Sequence, residues 1–222
     1  MSIAEKAYQM NQTIRASRLE RPSPFIVGIG GTTRAASSCE RMVRAVLSET
    51  ELLGGRTRHF SGVELASMPF YAPEQPQRTD LQREFVDAVR LADGIIIGSP
   101  GYHGGVSGLV KNALDLLQDL SDDTRPYLDQ RPVGLVVVSA GWQACGVTLQ
   151  ALRGTVHALR GWPTPIGLIV NTAEQKVFDK NGGLSADNII GLVKAQARQI
   201  MAFALHDQND DVPVAYRHAA DT

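Results

Sequence analysis

The sequence predicts a doubly wound α/β domain, a five-stranded parallel sheet with helices on both faces. Three observations carry this. Strand-like apolar runs alternate with helix-periodic segments five times along the 222 residues. The clearest runs, in "FIVGIGG", "DGIIIGS" and "PVGLVVVSA", are continuous rather than alternating, as in parallel strands covered on both faces. Each of these runs ends in a loop of small residues, and ligands of such sheets sit beyond the carboxyl ends of the strands.

Residues 1–22 precede any strand signal and are read as an N-terminal arm; the domain is expected over 23–206, with a tail over 207–222. "FIVGIGG" (25–31) is the first strand. Cys39, Met42, Val43, Val46 and Leu47 then recur on one helical face, and Gly54-Gly55 ends that helix. "RTRHFSG" is the second strand. The stretch 67–77 holds three prolines and is an irregular loop. Leu81, Phe85, Ala88, Val89 and Ala92 form the next helical stripe, before the third strand in "DGIIIGS". After a helix over "SGLVKNALDLLQDL" comes the fourth strand, "PVGLVVVSA" (132–140). "VTLQALRGTVHAL" is helical in pattern and "TPIGLIVNT" is the fifth strand. Ile189, Val193, Ala197, Ile200, Met201 and Ala204 belong to a closing helix.

Composition narrows the function classes. With 43% hydrophobic and 20% charged residues the chain is globular, and a net charge of −1 gives no field toward nucleic acid or an acidic membrane. No apolar run approaches the ~20 residues that span a bilayer, and the polar start lacks a secretory apolar segment. Cys39 and Cys145 make no disulfide framework. The expectation is a cytoplasmic protein with neither nucleic-acid nor membrane partners.

Three loops then carry the chemistry. The first, "GGTTRAASSCE" (30–40), joins two glycines, four hydroxyls and Arg34 to a helix start, a combination that suits a phosphate. Thr33 breaks the dinucleotide fingerprint, and no P-loop motif is present. Helix capping by Ser37 or Ser38 is the plainer alternative. The second loop, around "SPGYHGG", offers bare backbone at Gly101, Gly104 and Gly105 beside the rigid surfaces of Pro100 and Tyr102. The third, "SAGWQACG" (139–146), holds Trp142 and Cys145; the cysteine reads more readily as a packed residue than as a nucleophile. No metal-ligand spacing and no G-x-S-x-G elbow occurs. A phosphorylated flat cofactor fits these loops better than a charged substrate needing an acid and a base.

The stretch "SPGYHGGVSGLVKNALD" is similar to the Ser-Pro-x-Tyr-x-x-x-x-x-Gly-x-x-Lys-Asn-x-x-Asp pattern of the flavodoxin-like NAD(P)H-dependent FMN reductases. That family includes quinone, azo-dye and chromate reductases. "GTTRAASS" resembles its Gly-Ser-x-Arg-x-x-Ser phosphate loop, and the resemblance runs from about Phe25 to Leu205. It implies a flavodoxin-like sheet of strand order 2-1-3-4-5. It implies that Thr32, Arg34, Ser37 and Ser38 hold the FMN phosphate, with Cys39 beside them. Pro100, Gly101, Tyr102, His103 and Gly104 would line the isoalloxazine. Ser139, Gly141, Trp142 and Gly146 would lie near its pyrimidine edge. Gly101 stands where many members carry glutamate, and His103 where asparagine is common.

The implied activity is hydride transfer from NADPH or NADH to FMN and on to a small acceptor: free flavin, a quinone, an azo dye or chromate. No protein acid or base is named as catalytic, because the flavin carries the chemistry. NADPH and NADH are not distinguished by the sequence: an arginine such as Arg78 or Arg125 could reach a 2′-phosphate, and nothing in the sequence places it there. The rival readings are a flavodoxin-type electron carrier and a flavin-binding module without turnover. A homodimer or homotetramer is expected, because Val110 and Leu114 widen the stripe of Leu109, Ala113, Leu116, Leu117 and Leu120 beyond one sheet face. The loop 121–131 is the alternative cover. A flavin-dependent monooxygenase receiving reduced FMN is a further expected partner.

Overall fold

Strands buried on both faces should send alternate side chains into two separate cores, and they do. In the computed structural model, which describes residues 23–207, β1 (Phe25–Gly30), β2 (Arg56–Ser61), β3 (Gly94–Tyr102), β5 (Pro132–Ser139) and β6 (Trp162–Asn171) form a parallel sheet in the order β2-β1-β3-β5-β6. β4 (Gly105–Val106) is a two-residue strand antiparallel to the end of β3. Without it the order is the expected 2-1-3-4-5. The arm 1–22 and the tail beyond Asp207 lie outside the described residues.

The helices are α1 (Ser38–Leu52), α2 (Gly62–Ser67), α3 (Asp80–Leu91), α4 (Gly108–Asp115), α5 (Trp142–Ala158) and α6 (Asp187–Asp207). Val27, Ile29, Ile95, Ile97, Val133, Leu135 and Val137 point to the core under α3, α4 and α5. Ile26, Ile96, Val136 and Val138 point the other way, to α1 and α6. Each such side chain, fully buried, stabilises the fold by about 1.5–3 kcal/mol. Among the described residues no helix is long and apolar enough to cross a membrane.

Two departures bear on the site. The helix expected from Val147 begins at Trp142, so Trp142 and Gly146 lie in its first turns and not in a loop. Its N-cap is Gly141, which has no side chain to signal a helix start. The short α2 was also illegible as a helix, although Ser61 and Glu64 form a capping box at its start.

The wide stripe over 109–120 is absorbed within the chain. α4 stops at Asp115 and the chain continues as a tighter 3₁₀ turn, Leu116–Leu120. That change of pitch turns the later leucines inward. Val110, Ala113, Leu114, Leu116, Leu117 and Leu120 are all buried, in one cluster with Phe85 and with Leu128 from the 121–131 segment. The stripe therefore gives no reason for a second chain, and the alternative cover is the one found.

At the amino end of the sheet, the fully buried Arg131 donates to the carbonyls of Arg90, Ala92, Tyr127 and Asp129 at 2.7–3.3 Å. Burial lowers its guanidinium to about 10. On the free edge, the β5–β6 register shifts between Val133 and Leu135, whose partners are Pro163 and Gly167. Gln199 takes the Ile166 N–H there (3.2 Å), the buried Gln196 donates to the Ile166 carbonyl (2.8 Å), and Arg153 donates to the Pro165 carbonyl (3.0 Å).

Candidate functional site

A cavity of about 430 Å³ opens where the carboxyl ends of β1, β3, β5 and β6 meet. The β1–α1 loop gives it Thr32, Arg34 and Ser37, and the first turn of α1 gives Ser38 and Cys39; β3 and its hairpin give Pro100, Gly101, Tyr102 and His103; β5 gives Val138 and Ser139, with Ala140 just after it; Thr172 follows β6. Ten of the fourteen residues expected at the site are in that wall. Gly104, Gly141, Trp142 and Gly146 are not. Val138, Ala140 and Thr172 were missed, although the carboxyl-end rule applies to β6 as well as to the other strands.

The first loop leaves β1 through two glycines with left-handed φ, 139° at Gly30 and 129° at Gly31. A Cβ on Gly30 would sit 2.1 Å from the Gly98 carbonyl oxygen, so only glycine lets β1 and β3 pass so close. The Thr32 hydroxyl accepts from the Arg34 N–H at 3.2 Å and turns the loop. Ser37 is the N-cap of α1, its hydroxyl accepting from the Glu40 N–H at 3.3 Å. Capping and cavity lining thus belong to the same serine. The first-turn N–H groups of α1 have no partner within their own helix. Among the described residues the exposed Arg34 guanidinium has no ion pair. Unpaired positive charge, hydroxyls and a helix start suit an anion.

The second loop is a miniature hairpin. β3 runs to Tyr102, turns through His103 (φ 52°) and Gly104 (φ 75°), and returns as β4. Two positive-φ residues make a primed two-residue turn. Histidine and asparagine are both enriched in that conformation, which accounts for histidine at 103. The buried Ser99 hydroxyl donates to the Pro100 carbonyl (2.9 Å) and accepts from the Ser107 N–H (3.0 Å), fastening the hairpin's base. Gly101 is not bare in order to admit a ligand on its Cβ side. A Cβ there would meet Thr148 Oγ1 at 3.0 Å, Ser139 Cβ at 3.1 Å and the Ala144 carbonyl at 3.2 Å, so α5 already fills that space.

Other motif residues hold the frame. Asn112 accepts from the Tyr71 N–H (2.7 Å) and donates to the Pro69 carbonyl (3.1 Å), clamping the proline-rich loop. Lys111 and Asp115 form an exposed pair at 2.6 Å. Trp142, 44% exposed, donates its indole N–H to Glu174 at 2.7 Å, while Thr172 donates its N–H to the Ser139 carbonyl at 2.8 Å. These bonds tie the loops after β5 and β6 together. Arg78 is paired with Asp119 (2.7 Å), and Arg125 bonds the Ala92 carbonyl at the sheet's other end, so neither reaches the cavity.

Both thiols are packed. Burial pushes Cys39 up to about 12 even though the Gly31 backbone hydrogen-bonds it. Burial also raises Cys145, whose thiol donates to the Val170 carbonyl at 3.5 Å. A neutral thiol is a poor nucleophile, so the site offers electrostatic and apolar contacts rather than covalent chemistry.

The sequence profile described as NADPH-dependent FMN reductase matches residues 24–175, well over half of the chain and all of the cavity wall. The chain belongs to this family. Within it, a similar relative is an FMN-dependent NADPH-azoreductase of Staphylococcus haemolyticus, 32% identical over 106 residues, covering 48% of this chain and 52% of that protein. The chain thus spans about half the length of the curated relatives it matches. An oxidoreductase from Corynebacterium diphtheriae superposes with a TM-score of 0.66 at 18% identity, over 83% of this chain and 98% of its own. A flavodoxin, WrbA-like protein from Agrobacterium tumefaciens gives 0.56 at 18% identity, over 84% and 99%. These likenesses establish the flavodoxin-like fold that the family resemblance implied.

Proposed function

We propose that the chain is an NAD(P)H-dependent FMN reductase that passes electrons to a flat conjugated acceptor, of which an azo dye or a quinone is the expected class. The observation that carries this is the mixed wall of one cavity: an anion-suited loop with the unpaired Arg34, together with neutral surface from Pro100, Tyr102, Val138 and Ala140. Its volume lies in the range of small-molecule sites, ~300–1,000 Å³. When bound, FMN supplies the ring that accepts electrons from a reduced nicotinamide and yields them to the acceptor.

The chain's own part is positional. Thr32, Ser37, Ser38 and Arg34 hold the phosphate by hydroxyls, helix-start N–H groups and charge. Pro100, Gly101 and His103, with Ser139, Ala140 and Thr172, line the same cavity and would hold the flavin ring. Tyr102, 59% exposed at the rim, offers a face on which a planar donor or acceptor stacks. NADPH is favoured as donor by the family's description. Homo-oligomer assembly stays in the proposal on a different footing: the exposed rings of Trp162 and Phe203 lie 6.1 Å apart on the β6 side.

The test is a visible flavin spectrum of the purified protein, affinities for FMN and riboflavin, and steady-state oxidation of NADPH and NADH with azo and quinone acceptors. The expected result is preference for FMN and turnover with NADPH. Bound FMN without NAD(P)H oxidation would instead support an electron carrier, and equal affinity for riboflavin would remove the phosphate assignment.

A further inference from the structure

Ala36, inside the first loop, has φ 53°, a left-handed conformation unfavourable for a residue with a side chain. Such a residue persists where its surroundings determine it, and here both of its peptide groups are held. Its N–H donates to Glu40 Oε2 at 3.2 Å, and its carbonyl accepts from Arg41 Nε at 2.7 Å. Neither Glu40 nor Arg41 is in the cavity wall.

Each holder is itself held. The Glu40 side chain is only 6% exposed, and its Oε1 takes Arg44 Nη2 at 2.9 Å and Nε at 3.1 Å. A buried carboxylate beneath an anion-suited loop is electrostatically adverse. Its retention is explained by the N–H it accepts and by the Arg44 charge that offsets its own. The Arg41 guanidinium lies over the Phe178 ring, 5.2 Å from its centroid. Phe178 belongs to the segment after β6, which is folded on itself: Asp179 accepts from the N–H groups of Asn181 and Gly183 at 2.8 and 2.9 Å. A relay therefore runs from this segment through Arg41 to the turn that carries Arg34 and Ser37.

We infer that Arg41 and Glu40 are positioning residues, which fix the Ala36 peptide in its left-handed turn and so preset the loop for the phosphate of its ligand. The inference rests on the FMN reading above. It says that phosphate affinity is set in part by residues that never touch the phosphate. Glycine adopts φ near 53° unaided, so the clamp should matter for alanine at 36 and little for glycine.

The experiment measures FMN and riboflavin dissociation constants, by flavin fluorescence, for the full-length protein freed of flavin and for Arg41→Gln, Ala36→Gly and the double variant. Arg41→Gln should weaken FMN about tenfold, or ~1.4 kcal/mol, and riboflavin less than about twofold. In the Ala36→Gly background the same substitution should cost FMN less than about threefold, a coupling that a merely structural role does not produce. Glu40→Gln, which keeps an acceptor oxygen for the Ala36 N–H, should retain more FMN affinity than Glu40→Ala. An unchanged FMN-to-riboflavin ratio in Arg41→Gln, or an equal cost in both backgrounds, would overturn this inference alone. Absence of FMN preference in the unaltered protein would overturn it together with the phosphate assignment. Should Arg41→Gln not fold, Phe178→Leu removes the stacking platform and carries the same pattern of expectation.

Discussion

Gly62 and Gly108 are each the first residue of a helix behind a serine N-cap, and neither has positive φ. On local grounds alone, alanine at either position should stabilise the fold by about 0.4–1 kcal/mol, because it restricts the unfolded chain. Their surroundings split them. A Cβ on Gly108 meets nothing within 4 Å, whereas one on Gly62 lands 2.0 Å from the Thr32 carbonyl oxygen and 2.5 Å from its nitrogen. Ordinary contact begins near 3.4 Å, so α2 or Thr32 must move by about 1.4 Å. The obstacle is backbone in a cavity-lining loop, and α2 is pinned by the Ser61–Glu64 capping box. Overpacking of this kind costs about 1–3 kcal/mol. Gly62→Ala should therefore lower the thermal midpoint by roughly 2–12 °C and Gly108→Ala should raise it slightly. Because the displaced residue is Thr32, FMN affinity should fall at least about tenfold in Gly62→Ala, with riboflavin affected less. Differential scanning calorimetry and flavin titration on the matched pair read both effects. A Gly62→Ala protein as stable as Gly108→Ala, with unchanged FMN binding, would refute the close approach of α2 to the loop.

Arg34→Ala should weaken FMN binding by about 1.5–3 kcal/mol, the range for a hydrogen bond to a charged group, and leave riboflavin nearly unchanged in the same titration. Tyr102→Ala removes an exposed ring and should leave the melting temperature close to the parent's; kcat/KM for the acceptor or NAD(P)H should fall about tenfold, ~1.4 kcal/mol of transition-state binding. His59 is held below its ordinary 6.5 by burial and by the nearby Arg44, its Nε2 lies 3.3 Å from the Gly30 carbonyl, and among the described residues its buried Nδ1 has no partner to receive a second N–H. The unfolded chain therefore takes up the proton first as pH falls below 6.5, and stability is lost there. His59→Gln should flatten that part of the melting-temperature profile, and an identical acid slope in both proteins would remove His59 as its source.

What the sequence revealed depended on how each element is buried. β1, β3 and β5 were legible because two-sided burial writes an unbroken apolar run. α1 and α6 were legible because one buried face leaves a clear period. β4 is too short for any pattern, and α5 starts behind a glycine that carries no capping signal. The 109–120 stripe reads as too wide for one face because the helical pitch changes at Asp115, which residue spacing does not show. At the site, glycines, hydroxyls and Arg34 could be read from residue type. Thr172 is legible only from its place just past the carboxyl end of β6, not from its residue type. Gly101 showed the opposite fault: its bareness suggested room for a ligand, while the room is taken by α5.

The irregular stretch of β6 has a consequence for how copies of the chain can meet. An outer strand with free N–H and carbonyl groups is a template on which another sheet can grow. Here Pro163 and Pro165 bring no N–H at all, Arg153 donates to the Pro165 carbonyl, and Gln199 takes the Ile166 N–H. The fully buried Gln196, donating to the carbonyls of both Leu135 and Ile166, fills the register shift between β5 and β6 from within and fixes the irregularity in place. The two prolines interrupt the row of donors that continuous cross-chain β-pairing needs, so this edge is poorly suited to lengthening the sheet into a fibre.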